Sequence, residues 1–249
     1  MPVEACFLHR IAIIGAGQVG GAAAYALVLS SVAKELLLVD IDTDLRDAQV
    51  YDLGDAAYST NRGTSVRAAN YQEASQCDII VLAAGCAHTF GQTTLDRLYR
   101  NISIVRNVLN AITPLRQDSI LIIASSPCDL LTSLARELSA LPASQVIGVG
   151  TCLDSLRLRG LLSDHTEVAA NSIHINALGV QGPGEVVTWS TATIGGVPIK
   201  DWCQSNGTIQ YTSLEREFLS RSQSILNTKG SAPFGFFPSA TSSQSMVAV

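Results

Sequence analysis

Gly15, Gly17 and Gly20 spell GxGxxG within Gly15-Ala16-Gly17-Gln18-Val19-Gly20, and Asp40 follows 20 residues after the last of them. The chemistry this spacing suits is the binding of a phosphate-bearing cofactor. Gly15 permits a tight turn, Gly17 lets the backbone approach a pyrophosphate, and Gly20 lets a helix pack closely on a strand. Gln18 and Val19 open that helix, whose free N–H groups and positive dipole end favour the phosphates. Asp40 is placed to accept hydrogen bonds from the hydroxyls of an adenosine ribose. Its charge would repel a 2′-phosphate, which favours NAD over NADP. On the motif alone, FAD and S-adenosylmethionine sites share much of this geometry and stay open.

Other reactive side chains are few. The six cysteines (Cys6, Cys77, Cys86, Cys128, Cys152, Cys203) form no CxxC pair and have no matching histidine spacing, so no metal site is expected. They read as free thiols of a reducing compartment. Residues 1–10 lack the apolar segment of a secretory signal, and a cytoplasmic location is the expectation. Of the four histidines, His9 falls at a strand edge, His88 and His165 on loops, and His174 seven residues before Gln181. Asp96 and Arg97 read as a solvated helix face.

Short apolar runs alternate with helical stretches. Strands are expected at residues 10–14, 35–39, 65–69, 78–83, 119–124 and 145–148. Helices are expected at 19–31, 44–57, 95–112 and 130–138. This alternation predicts an α/β fold, a Rossmann-type doubly wound parallel sheet, over residues 1–148. Residues 149–249 are less regular: a helix at 154–161, a strand at 167–177, a Gly/Pro loop at 179–184, an amphipathic helix at 212–226, and a helix beginning near 239.

With net charge −5 and no basic cluster, the chain is no match for nucleic acid. Mean hydropathy is +0.27, yet stretches such as 78–85 and 119–124 fall far short of the roughly 18 to 20 residues a membrane helix needs. Buried parallel strands account for the apolar content, since both their faces are covered.

The whole set of segments resembles one family. "IAIIGAGQVGGAAAYALVLSSVAKELLLV" followed by Asp40, "YDLGDA", "DIIVLAAG", Arg100-Asn101, "SSPCDLLT", "VIGVGTCLDSLRLR", "GEVVTWS", "IGGVPI" and "KGSAPFG" are similar, in order, to segments of lactate and malate dehydrogenases. The resemblance covers nearly the whole chain. It implies two domains, the second an α+β catalytic-type domain that stops short of the family's last strands and C-terminal helix. Loss of those elements would leave apolar surface uncovered and weaken an oligomer interface. The resemblance also implies NAD, a small 2-keto or 2-hydroxy acid as ligand, reversible hydride transfer, and a homo-oligomer. It adds Ala84, Gly85 and Ser126 to the cofactor-binding residues.

The family's catalytic pattern is only partly present. Asp154 matches the aspartate that orients the catalytic histidine. Arg157 matches the arginine that grips the substrate carboxylate by a two-pronged bond. The histidine itself aligns with Gln181, and the mobile-loop arginine that polarises the substrate carbonyl aligns with Thr94. Ser126 replaces an asparagine, Ala232 replaces a hydroxyl-bearing residue, and His88 holds the loop position that helps select substrate. Positioned acid–base catalysis is worth roughly 10²–10⁴-fold, and one carbonyl-polarising donor a further ~10²–10³-fold. The family's reaction by the family's mechanism is therefore expected to be slowed by several orders of magnitude. Three readings remain: a dehydrogenase with altered chemistry, a catalytically silent NAD-binding sensor or scaffold, and a non-redox enzyme on the same fold.

Overall fold

A computed structural model describes residues 9–60, 63–86, 94–181 and 184–235. These form two compact units, dividing between Val149 and Gly150. Among the described residues no helix is long and apolar enough to cross a membrane.

In the N-terminal unit, β1 (His9–Ile14), α1 (Gln18–Ser30), β2 (Ala33–Val39), α2 (Thr43–Thr60), β3 (Ser65–Ala68) and α3 (Tyr71–Ala74) are followed by β4 (Ile79–Leu82), α4 (Thr94–Ile112), β5 (Ile120–Ile123), α5 (Cys128–Leu138) and β6 (Val146–Gly148). The six strands are parallel, in the order β3-β2-β1-β4-β5-β6. That is the dinucleotide-binding order, with its switch point between β1 and β4. The continuous apolar runs have a simple cause. Ile11, Ile13, Leu36, Leu38 and Val81 pack with Ala23, Ala24 and Leu27 of α1 and Leu53 of α2. The alternate residues, Ala12, Ile14, Leu37, Ile80 and Leu82, pack with Val105, Leu109 and Ile112 of α4 and Leu131 of α5. Each Val, Leu or Ile among them, fully buried, contributes roughly 1.5–3 kcal/mol. Sequence reading missed the short α3, although its capping box, Asn70 with Glu73, is a legible start signal.

The second unit contains α6 (Cys152–Thr166), β7 (Ile173–His174), β8 (Ala177–Val180), β9 (Gly184–Val187), β10 (Thr193–Ile194), β11 (Val197–Pro198), α7 (Ile199–Asn206) and α8 (Tyr211–Lys229). One sheet has the order β11-β10-β7, and β8 and β9 form a separate antiparallel pair. Leu158, Leu161 and Leu162 of α6 meet Ile173, Ile175, Ile194, Leu214 and Phe218 in a single core.

Several expectations change here. The strand expected at 167–177 is broken. Glu167 ends α6 in a left-handed conformation, Ala170–Ser172 form a 3₁₀ turn, and only then does β7 begin. Ile173, Ile175 and Ala177 are buried with the period of a strand, but the chain changes partner on the way: β7 pairs with β10 and β8 with β9. The loop expected at 179–184 is largely hairpin. Gly179 has φ +102°, and a Cβ there would stand 2.5 Å from the Gly184 carbonyl oxygen, so the close strand approach requires glycine. His165 lies in the last turn of α6 rather than on a loop, because the leucine stripe carries that helix on to Thr166. It faces Glu217 at 3.3 Å and holds that carboxyl below its ordinary range. The sequence reading also missed α7, β10 and β11. The helix expected near 239 lies outside the described residues, as does Cys6; the five described cysteines are free.

Candidate active site

The N-terminal unit builds its own candidate site from backbone. Gly15 has φ +103°, and a Cβ on it would lie 2.5 Å from the Ala84 amide nitrogen. A Cβ on Gly20 would fall 1.8 Å from the Gly15 carbonyl oxygen. Both glycines are thus demanded by the fold itself. Gly17 is different: a Cβ there would meet nothing within 4 Å. Its backbone faces open space at the N-cap of α1, where no side chain caps the helix and no acid sits in the first turn. Exposed amide donors beside a glycine with no structural need for being glycine fit a pyrophosphate.

Asp40 follows β2. Its Oδ2 accepts the Ala16 amide proton at 2.6 Å and its Oδ1 that of Asp42 at 2.9 Å. On α2, Gln49, which sequence reading did not single out, donates from Nε2 to the Ala16 carbonyl at 3.2 Å. Both backbone groups of Ala16 are therefore held by side chains from the following βα unit. Gln18 is exposed and Val19 half-buried in the first turn of α1.

Ala84 and Gly85 lie in the segment after β4, and Ser126 is exposed just after β5. Asn101 on α4 joins the two segments: its Oδ1 accepts the Cys86 amide proton at 2.8 Å and its Nδ2 donates to the Ser126 carbonyl at 2.6 Å. Asn101 is a buried polar residue, and the order of these segments depends on it. Ser125 adds a hydroxyl bond to the Ala84 carbonyl at 2.6 Å. Thr94 is the first residue of α4; its side chain, and all of His88, lie outside the described residues. Asp96 is exposed and Arg97 half-buried on the same helix.

The second unit builds its own candidate site from side chains. Thr151 and Ser155, at the start of α6, grip Ala177 of β8. Thr151 Oγ1 donates to the Ala177 carbonyl at 2.6 Å, and Ser155 Oγ accepts the Ala177 amide proton at 3.0 Å. This staple brings Gln181, at the tip of the hairpin, beside Asp154 in the first turn of α6. Gln181 Nε2 donates to Asp154 Oδ2 at 3.0 Å. Asp154 Oδ1 accepts from Arg157 Nη1 at 2.8 Å, and the same nitrogen donates to Ser222 Oγ of α8 at 3.1 Å. Asp154 is 3% exposed, so its charge is stabilised by these partners and not by water.

The Arg157 side chain is 16% exposed, and among the described residues its Nε and Nη2 make no hydrogen bond. One nitrogen is anchored and the adjoining edge carries donors without an acceptor. Ser222, half-buried four residues beyond Phe218 on α8, carried no local sequence signal that it would meet Arg157. Ala232 is half-buried beyond the end of α8. His174 lies exposed on β7, away from the Asp154 bonds.

Residues 9–148 match the family model for the lactate/malate dehydrogenase NAD binding domain, and residues 151–242 that for the lactate/malate dehydrogenase alpha/beta C-terminal domain. The chain belongs to the lactate/malate dehydrogenase family. The N-terminal unit is the family's dinucleotide domain, and its cofactor is NAD. L-lactate dehydrogenase A of Rhizopus oryzae is 35% identical over 229 residues, covering 92% of this chain and 71% of that protein. L-lactate dehydrogenase of Thermus aquaticus is 38% identical over 198 residues, covering 80% of this chain and 64% of that protein, under two thirds of its length. Among solved structures, the minor L-lactate dehydrogenase of Enterococcus mundtii superposes with a TM-score of 0.89 at 32% identity, covering 94% of this chain and 76% of that one.

Proposed function

We propose that this member of the family binds NAD(H) and a small 2-hydroxy or 2-keto carboxylate but does not turn them over by the family's acid–base route, so that it acts as a sensor or scaffold. The observation that carries this reading is the bond from Gln181 Nε2 to Asp154. Gln181 stands where the family's histidine aligns, and it makes the bond to the aspartate that would orient that histidine. A carboxamide neither gains nor loses a proton near neutral pH, so it cannot exchange one with a substrate hydroxyl.

The binding functions have their residues. Gly15, Gly17 and Gly20 with the α1 N-terminus take the pyrophosphate, and Asp40 takes the adenosine ribose. When bound, NAD supplies the hydride-transferring ring. The unpaired Nε–Nη2 edge of Arg157 takes a carboxylate by two parallel bonds, while Asp154 and Ser222 hold its other nitrogen in place. Thr94, where the family has its carbonyl-polarising arginine, offers no cation.

A second reading, a slow dehydrogenase, is favoured by the survival of Asp154 and Arg157. One experiment separates the two: NADH oxidation against pyruvate, oxaloacetate and bulkier 2-keto acids, with an NADH titration on the same sample. Tight NADH binding without turnover is expected. Turnover at an ordinary enzymatic rate would overturn the proposal. The pair Gln181→His and Thr94→Arg is expected to raise keto-acid reduction; no gain would place the block elsewhere than in these two residues.

A further inference from the structure

The peptide joining Ala16 to Gly17 lies in the middle of the glycine turn, and its orientation decides what that turn offers a ligand. Gly17 has no Cβ to oppose rotation of this peptide, and a Cβ there would meet nothing within 4 Å. Side-chain packing at Gly17 therefore does not set which way its N–H points. A hydrogen bond does. Gln49 Nε2 donates to the Ala16 carbonyl at 3.2 Å. The peptide is trans, and in a trans peptide the C=O and the following N–H point in opposite directions. By holding the carbonyl on its own side, Gln49 aims the Gly17 N–H the other way. Among the described residues that N–H donates to no protein group. Asp40 accepts the Ala16 amide proton at 2.6 Å, so the peptides on both sides of Ala16 are held.

A further glycine, outside the GxGxxG pattern, makes room for the glutamine. A Cβ on Gly21 of α1 would stand 2.9 Å from Gln49 Nε2, and the three atoms nearest to it all belong to the Gln49 amide group. Gly21 thus leaves open the space through which α2 reaches the turn.

We propose that Gln49 is a positioning residue for the cofactor: it fixes the Ala16–Gly17 peptide so that the Gly17 N–H is presented to the pyrophosphate, and Gly21 admits it. This rests on the pyrophosphate lying at the start of α1, as proposed above. A donor aimed in advance loses less freedom when the ligand arrives, and that saving is what Gln49 adds to affinity.

The test is calorimetric titration of the full chain with NAD⁺, read beside thermal melts and the Gly17 amide resonance of ¹⁵N-labelled protein. Gln49→Met keeps the length of the side chain and removes the donor. It is expected to raise the Kd for NAD⁺ about fivefold, the worth of one hydrogen bond, with the melting temperature unchanged. The Gly17 resonance, single and sharp in the unmutated chain, is expected to broaden or shift as the peptide samples both orientations. Gln49→Glu sets an acceptor against the Ala16 carbonyl and is expected to cost more than Gln49→Met. Gly21→Ala displaces the Gln49 amide and is expected to match Gln49→Met, with no further loss when the two are combined. An unchanged Kd in Gln49→Met would overturn the role of Gln49 and leave the pyrophosphate placement standing. So would a loss that comes with a lower melting temperature and an unmoved Gly17 resonance, or full additivity with Gly21→Ala. Failure of the unmutated chain to bind NAD⁺ would overturn both.

Discussion

The two units build their candidate sites from different material. In the N-terminal unit the work is done by backbone: glycines shaped by close contact, uncapped amides at the start of α1, and Ala16 pinned by Asp40 and Gln49. In the second unit it is done by side chains: Arg157 and Gln181 bond the buried carboxylate of Asp154, and Ser222 bonds Arg157. A backbone cradle depends on a few glycines at fixed spacing and tolerates change elsewhere. A side-chain cluster changes its chemistry with a single replacement while keeping its hydrogen bonds. That difference fits a chain that keeps the full GxGxxG pattern while, in the reading proposed here, a glutamine stands at the position of the family's histidine.

The sharpest way to break this contrast is Asp154→Ala. Removing the acceptor leaves Arg157 and Gln181 facing a low-water interior, and a broken buried pair costs roughly 3–5 kcal/mol. Because Arg157 keeps 16% exposure, about 2–3 kcal/mol is expected in chemical denaturation, with NADH affinity unchanged. A loss below about 0.5 kcal/mol would mean that the cluster does not hold its unit together.

Next come two glycine replacements that separate fold from function within the backbone half. Gly20→Ala drives a Cβ into the Gly15 carbonyl and is expected to destabilise the unit by about 1–3 kcal/mol. Gly17→Ala meets nothing, so stability should hold while NADH affinity falls about tenfold, or roughly 1.4 kcal/mol. Thermal melts read beside NADH titrations distinguish the two; an unchanged Kd for Gly17→Ala would displace the pyrophosphate from this turn.

The smallest effect concerns the surface. Arg67 and Arg10 both bond to Glu35 and hold its carboxyl below the ordinary range. With a lowered folded value, the stabilisation is fully present above the ordinary carboxylate pKa and is lost as pH falls through the folded one. Both arginines are more than a third exposed, so solvent screening limits the contribution to about 0.5–1 kcal/mol. Glu35→Gln should lose that amount at pH 7, and its difference from the unmutated chain should disappear as pH falls through the lowered Glu35 value. Equal stability at pH 7 would show that these pairs contribute only geometry.

Much of the N-terminal unit was legible because its signals are local. Apolar runs such as 36–39 and 79–82 announce strands covered on both faces, and Gly15 to Gly20 announces the turn and the helix start. The second unit was harder to read. Buried residues at 173, 175 and 177 keep the period of one strand while their partners change from β10 to β9, and a period cannot tell which strand lies alongside. The pairing of Asp154 with Arg157, three apart on one helix, was readable; the approach of Ser222 was not.

From the amino-acid order alone came the α/β class, NAD as cofactor, the glycine turn before α1, and Asp154, Arg157 and Gln181 as residues of interest. These follow from patterns spanning at most a few turns or one βα unit. Tertiary structure alone decided that Gln181 turns its nitrogen toward Asp154 and that Ser222 takes the second bond of Arg157. Those contacts join residues 27 and 65 positions apart, and no local preference determines them. They exist because buried polar groups need hydrogen-bond partners, acceptors for the guanidinium and donors for the carboxylate, and only the folded chain brings these within reach.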